Sequence, residues 1–166
     1  MSEPQSLVRM EIKGLMLDPT SNIPIVVLRE QEGPLFLPIW IGVFEANAIA
    51  LRIEGVQPPR PLTHDLLRSV FEHLRVAIDK IVISDLRDNT FFALIHVMQG
   101  DQATTIDARP SDAIALALRA EVPIFVTRDV LDRAKAVELA TDASDEEKLK
   151  KWLEELNPDD LGKYTM

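Results

Sequence analysis

Two short stretches hold residues whose types and spacing could do chemistry. The first is Arg60-Pro61-Leu62-Thr63-His64-Asp65, and the second is Ile106-Asp107-Ala108-Arg109-Pro110-Ser111-Asp112. Asp107 and Arg109 lie two apart, so on a strand they share a face. Pro110 holds Arg109 extended and presents it at the strand end. Ser111 and Asp112 then open a helix, where free backbone N–H groups favour an anion. An extended strand, a held arginine and a helix N-terminus together make a phosphate seat. A structural reading stands beside it: Ser111 as N-cap, Asp112 opposing the helix dipole, and Asp107 paired with Arg109 to hold the strand end.

His64-Asp65 is the one place where an imidazole adjoins a carboxylate in a stiff setting. An imidazole titrating near neutrality suits general acid–base work; a surface histidine in a first helical turn is the alternative. Glu45, at a helix start, could join Asp65, Asp107 and Asp112 as metal ligands for hydrolysis. Each of these acids also reads as an ordinary helix-start carboxylate. His96 is expected as a satisfied core residue, and His73 as outward-facing on a helix. The sequence has no Walker loop, dinucleotide fingerprint, GxSxG or HExxH.

These residues need a frame. Apolar strands are expected at 8–17, 23–28 and 35–41, with Pro38 marking an edge or bulge. A helix follows at 44–54, with Phe44, Ala48 and Leu51 on its apolar stripe. Pro58-Pro59-Arg60-Pro61 is a stiff linker. Thr63 is expected to N-cap a second helix, with Asp65 in its first turn and Leu66, Leu67, Val70, Phe71 and Leu74 as its stripe. A second meander covers 78–86, 90–98 and 102–108, its middle strand apolar on both faces and so central. Ser111 caps a helix over 112–121 that is apolar all round and therefore buried. A last strand at 123–126 and a short helix at 128–134 complete an α+β domain of two β-meanders with packed helices on a mixed sheet. Ala48-Ile49-Ala50-Leu51 recurs as Ala113-Ile114-Ala115-Leu116, which suggests a duplicated βββα unit.

Composition bounds the partners. The 166 residues include 18 Lys and Arg against 27 Asp and Glu, a net charge of −9. Residues 136–166 hold nine acids and four lysines, so they carry −5 of that total. The expected domains are thus 8–135 and an acidic helical appendage at 136–166, opened by the capping-box pattern Ser144-Asp145-Glu146-Glu147. Without a basic footprint, any nucleic-acid contact must be a local arginine site. With no cysteine there is no disulfide, thiolate metal site or cysteine nucleophile. No apolar run is long enough for a bilayer, and no signal peptide opens the chain, so a cytoplasmic protein off the membrane is expected.

Leu37-Pro38-Ile39-Trp40-Ile41-Gly42 with Glu45-Ala46, Arg60-Pro61-Leu62-Thr63-His64-Asp65, and Asp107-Ala108-Arg109-Pro110-Ser111-Asp112-Ala113-Ile114-Ala115-Leu116 together resemble the bifunctional nuclease domain family, bacterial type. Phe91-Phe92-Ala93 and Pro123-Ile124-Phe125-Val126 fit its intervening segments, and the resemblance runs from about residue 8 to 134. It implies a mixed α and β fold, a homo-oligomer, and hydrolysis of RNA and DNA with broad specificity. Carried onto matching positions, it implies Arg60, Arg109 and Ser111 as substrate-binding, with His64, Asp65, Asp107 and Asp112 as catalytic. Glu45, Asp65, Asp107 and Asp112 would hold Mg²⁺ or Mn²⁺. The net charge favours a competing reading: a non-enzymatic oligomeric binding or regulatory module with an arginine-lined anion site.

Overall fold

Runs of alternating apolar residues separated by turn formers produce the strands. The computed structural model describes residues 4–134 together with 137, 138, 147 and 151. Its elements are β1 (Leu7–Leu17), β2 (Pro24–Glu30), β3 (Leu35–Trp40), α1 (Val43–Ile53), α2 (Thr63–His73), β4 (Ala77–Arg87), β5 (Thr90–Gln99), β6 (Gln102–Ala108), α3 (Pro110–Ala120), β7 (Ile124–Thr127), α4 (Arg128–Arg133) and β8 (Val137–Glu138). Apart from the four positions beyond 134, the expected appendage over 136–166 lies outside the described residues.

The strands form a single mixed sheet in the order β6-β5-β4-β7-β1-β2-β3-β8. Two antiparallel meanders, β1-β2-β3 and β4-β5-β6, flank β7, which runs parallel to β4 and antiparallel to β1. This is the expected α+β architecture. Each meander leads directly into a helix, α1 after β3 and α3 after β6, and the two helices pack together. Tight turns set the registers. Asp88 and Asn89 both take positive φ, 49° and 60°, between β4 and β5, the conformation that matches hairpin twist. Asp18 accepts from the Thr20 N–H (2.8 Å) and from Trp40 Nε1 (2.8 Å), fastening the first hairpin turn to β3. Pro38 pairs with Val27 on β2, while β8 meets β3 at Leu35 and Phe36. Its missing N–H therefore falls beyond the β8 ladder, as a proline near a sheet edge requires.

The main core lies on the helical face of the sheet. Val26, Leu28, Leu37, Ile39, Ile81, Ile83, Ala93 and Ile95 meet Ile49, Ala113 to Ala117, Val130 and Leu131. A smaller cluster of Ile25, Val27 and Phe36 occupies the opposite face. Helix α3 is buried nearly throughout, as its all-round apolar pattern demands.

Several local expectations are corrected. In α1 the buried residues are Ala46, Ala48 and Ile49, and Phe44 is 87% exposed. Both stripes satisfy a 3.6-residue period; packing against the alanine-rich α3 selects the one with smaller side chains. Helix α2 buries no residue, and Leu66, Leu67, Val70 and Leu74 stay exposed although Phe71 packs against the core. Thr63 is the first helical residue of α2 rather than its cap, which is Leu62. Ser111 likewise lies inside α3, and Arg109 takes the N-cap position. His96 is half-buried on the sheet face away from α3. Alternation along β5 sends Phe91, Ala93, Ile95 and Val97 to the core instead. Burial and the neighbouring Lys80 push its imidazole pKa down. No helix among the described residues is long and apolar enough to cross a membrane.

Candidate functional site

Three helices begin with the same device. The third residue is Glu45 in α1, Asp65 in α2 and Asp112 in α3, where the helix dipole favours a carboxylate. The packing of α3 against α1 and α2 then brings Glu45 and Asp112 to one arginine and Asp65 to another.

Arg109 is the hub of the first cluster. It leaves β6 extended, with Pro110 behind it, at φ −69° and ψ 144°. Its Nε donates to Asp112 Oδ2 (2.7 Å), and its Nη2 to Glu45 Oε1 (2.7 Å). The remaining Asp112 oxygen, Oδ1, is 2.9 Å from His64 Nε2. Glu45, Arg109, Asp112 and His64 thus form one continuous chain of contacts drawn from three helices and the junction of β6 with α3. The His64 side chain is 11% exposed and that of Arg109 49% exposed, so the guanidinium is the accessible end. Burial alone would raise the Asp112 pKa; the hydrogen bonds from Arg109 and His64 outweigh it and hold the carboxyl below its ordinary value. The same pairing, led by the bond to Asp112, raises the pKa of Arg109. Gly42, preceding α1, lies under the Glu45 carboxylate, where an added Cβ would collide with Oε2.

Asp65 belongs to a second cluster. Its Oδ2 accepts from the Leu62 N–H (2.9 Å), closing the start of α2, and its Oδ1 accepts from Arg119 Nε (2.7 Å). Arg119 is 3% exposed, and its other nitrogens donate to the carbonyls of Ala115 (2.9 Å) and Ala48 (3.0 Å). Burial works to raise the Asp65 pKa, but the Leu62 and Arg119 bonds prevail and lower it. Arg60 joins Asp65 and Arg119 along one pocket, together with Arg52.

Two expected site residues stand apart. Asp107 is exposed on β6, and its carboxylate makes no hydrogen bond or ion pair among the described residues. The anticipated Asp107–Arg109 bridge is absent there, because Arg109 turns to Asp112 and Glu45. Ser111 is fully buried, and its hydroxyl finds no hydrogen-bond partner.

A family model of the bifunctional nuclease domain matches residues 26–138. This chain belongs to the bifunctional nuclease domain family. Glu45, His64, Asp65, Arg109, Asp112 and Arg119 all fall inside the matched segment. An uncharacterized protein of Mycobacterium tuberculosis is 42% identical over 161 residues, covering 90% of this chain and 95% of that protein. Bifunctional nuclease 1 of Oryza sativa subsp. japonica is 26% identical over 116 residues, 68% of this chain and 35% of the plant protein. Bifunctional nuclease 1 of Arabidopsis thaliana is 26% identical over 109 residues, 63% of this chain and 34% of the plant protein. The bifunctional nuclease domain here therefore corresponds to about a third of each plant relative.

The expected divalent-ion set does not assemble in this bifunctional nuclease domain. Both oxygens of Asp112 are engaged by His64 and Arg109, both of Asp65 by Leu62 and Arg119, and Asp107 stands away. Among the described residues no three His, Asp or Glu side chains are grouped to hold a metal ion. A guanidinium lies between Glu45 and Asp112, and its charge repels a cation from that gap. The donor set does not fit resident Mg²⁺ or Mn²⁺. Arg119 lies outside the expected site residues; its signal along the chain is a lone guanidinium after the apolar run from Ala113 to Leu118.

Proposed function

We propose that this chain is a nuclease that hydrolyses phosphodiester bonds of RNA and DNA, with His64, Asp112 and Arg109 as its working groups. The observation that carries this reading is the contact from His64 Nε2 to an Asp112 whose other oxygen is held by a half-exposed arginine. With the carboxylate ionised, it accepts from the Nε2–H, which leaves the lone pair on Nδ1. That nitrogen takes a proton from the attacking water as its oxygen bonds to phosphorus. The P–O bond to the leaving group then breaks, and the leaving oxygen takes a proton from solvent. Arg109 keeps Nη1 outside its two ion pairs, which leaves N–H groups able to donate to a phosphate oxygen. Glu45 and Asp112 hold the guanidinium in one orientation, as a positioned electrostatic group requires.

The experiment compares wild type with His64→Ala and Asp112→Asn, purified identically, on labelled single-stranded RNA and DNA. Each reaction is run with Mg²⁺, with Mn²⁺ and with EDTA. Cleavage persisting in EDTA and falling about 10²- to 10⁴-fold in a folded His64→Ala is the expected result, the range for loss of a general base. Equal cleavage by all three proteins overturns the assignment of the site. Loss of cleavage in EDTA restores a metal-dependent route.

A second reading is a non-enzymatic binding or regulatory module. The pairing of Arg109 with two carboxylates in a chain of net charge −9 favours it. It is the reading that survives if highly purified wild type cleaves neither polymer.

A further inference from the structure

The pocket beside the second cluster is chemically unlike the rest of this acidic chain. Its volume is about 250 Å³, and its lining includes Leu51, Arg52, Val56, Arg60, Asp65 and Arg119. Three guanidiniums and one carboxylate leave it with a local charge of +2, against −9 for the whole chain. Their donors are not equally free. Arg119 spends Nε, Nη1 and Nη2 on Asp65, Ala115 and Ala48, so it supplies charge from the floor rather than open N–H groups. Arg52 makes one long contact, from Nε to the Leu118 carbonyl at 3.4 Å. Arg60 is exposed and makes no hydrogen bond or ion pair among the described residues. Prolines at 58, 59 and 61 hold the backbone on both sides of Arg60, so its guanidinium is offered with little loss of chain freedom.

We propose that this pocket binds the phosphomonoester of a single sugar-sized unit, a nucleotide or a strand's terminal phosphate, with Arg60 and Arg52 donating to its oxygens. A phosphomonoester carries a charge of about −1.5 to −2 at pH 7, which matches the +2 of the pocket; an internal phosphodiester carries −1. Planar guanidiniums meet phosphate oxygens with paired N–H groups. Leu51, Val56 and the prolines supply apolar walls for a sugar. The volume lies below the range of about 300–1,000 Å³ typical of drug-sized ligands, as befits one unit of this size. The inference concerns binding and stands whether or not the chain cuts nucleic acid.

The test is equilibrium binding in EDTA, followed by calorimetry and by thermal shift. The probes are 5′-AMP, ribose 5-phosphate, inorganic phosphate and adenosine. Wild type is expected to bind 5′-AMP and ribose 5-phosphate, to bind inorganic phosphate more weakly, and not to bind adenosine. Arg60→Ala, at an exposed position without contacts, is expected to weaken 5′-AMP at least tenfold, with Arg60→Lys between the two. Affinity should fall below about pH 6 as the monoester dianion takes up a proton and becomes a monoanion. A 5′-phosphorylated oligonucleotide that competes with 5′-AMP, where its unphosphorylated twin does not, assigns the site to strand ends. Competition by neither, with 5′-AMP still bound, assigns it to free monoesters. No binding of any phosphate probe, equal affinity for adenosine, or unchanged affinity in Arg60→Ala overturns the proposal.

Discussion

Arg119 Nε and Asp65 Oδ1 lie 2.7 Å apart, joining the buried interior of α3 to the first turn of α2. The same arginine reaches the Ala48 carbonyl of α1. One side chain thus ties together the three helices that carry Glu45, His64 and Asp112. The role expected of Asp65 as a metal ligand becomes here the closing of a helix start and the neutralising of a buried cation.

Removing Asp65 leaves the Arg119 charge buried without its partner. Breaking a buried pair from one side costs about 3–5 kcal/mol. Because Asp65 itself is partly exposed, Asp65→Ala is expected near the lower end, about 3 kcal/mol, by urea denaturation. Arg119→Met should cost less, since it removes the cation together with its need for a partner. An Asp65→Ala variant as stable as wild type would show that water satisfies Arg119.

Ser111 should be dispensable for folding. Its hydroxyl is buried and unpaired, and an unsatisfied buried polar group costs about 1–3 kcal/mol. Ser111→Ala is expected to leave the melting temperature unchanged or to raise it. A clear fall would mean that the hydroxyl has a hydrogen-bond partner in solution.

Acid should loosen the site before neutral-pH conditions do. Asp65 and Asp112 both have folded pKa values below the ordinary 3.8. Their contribution is therefore fully present above that value, and it is lost as pH falls through the folded values. Asp112→Asn replaces charge-assisted bonds of about 1.5–3 kcal/mol by neutral ones of about 0.5–1.5 kcal/mol, a loss of about 1 kcal/mol at neutrality. The gap in melting temperature between wild type and Asp112→Asn should accordingly be widest at pH 7 and narrow below pH 4. A gap independent of pH would show that the carboxylate charge contributes nothing to stability.

Much of the frame was legible along the chain because strand and helix periods, prolines and turn pairs are local signals. The two meanders, the buried α3 and the turn at Asp88-Asn89 follow from residues within a few positions of one another. The end of β6 was legible too, since Pro110 stops the strand, whereas α3 opens at Pro110 itself, two residues before the expected start. Phe44 was misplaced because two stripes of α1 fit the helical period, and the choice between them belongs to α3, more than sixty residues away.

For the site, residue types and spacing pointed to Arg60, Arg109 and His64 with the carboxylates Glu45, Asp65, Asp107 and Asp112 as the polar groups to watch. Local backbone geometry sufficed, because a proline and a helix N-terminus act within one turn. Which acid meets which base was decided only by tertiary structure. Asp107, two residues from Arg109, does not pair with it, whereas Glu45, sixty-four residues away, does. Strand order and helix packing set those distances, and a hydrogen bond requires contact within about 3 Å; adjacency along the chain does not supply it.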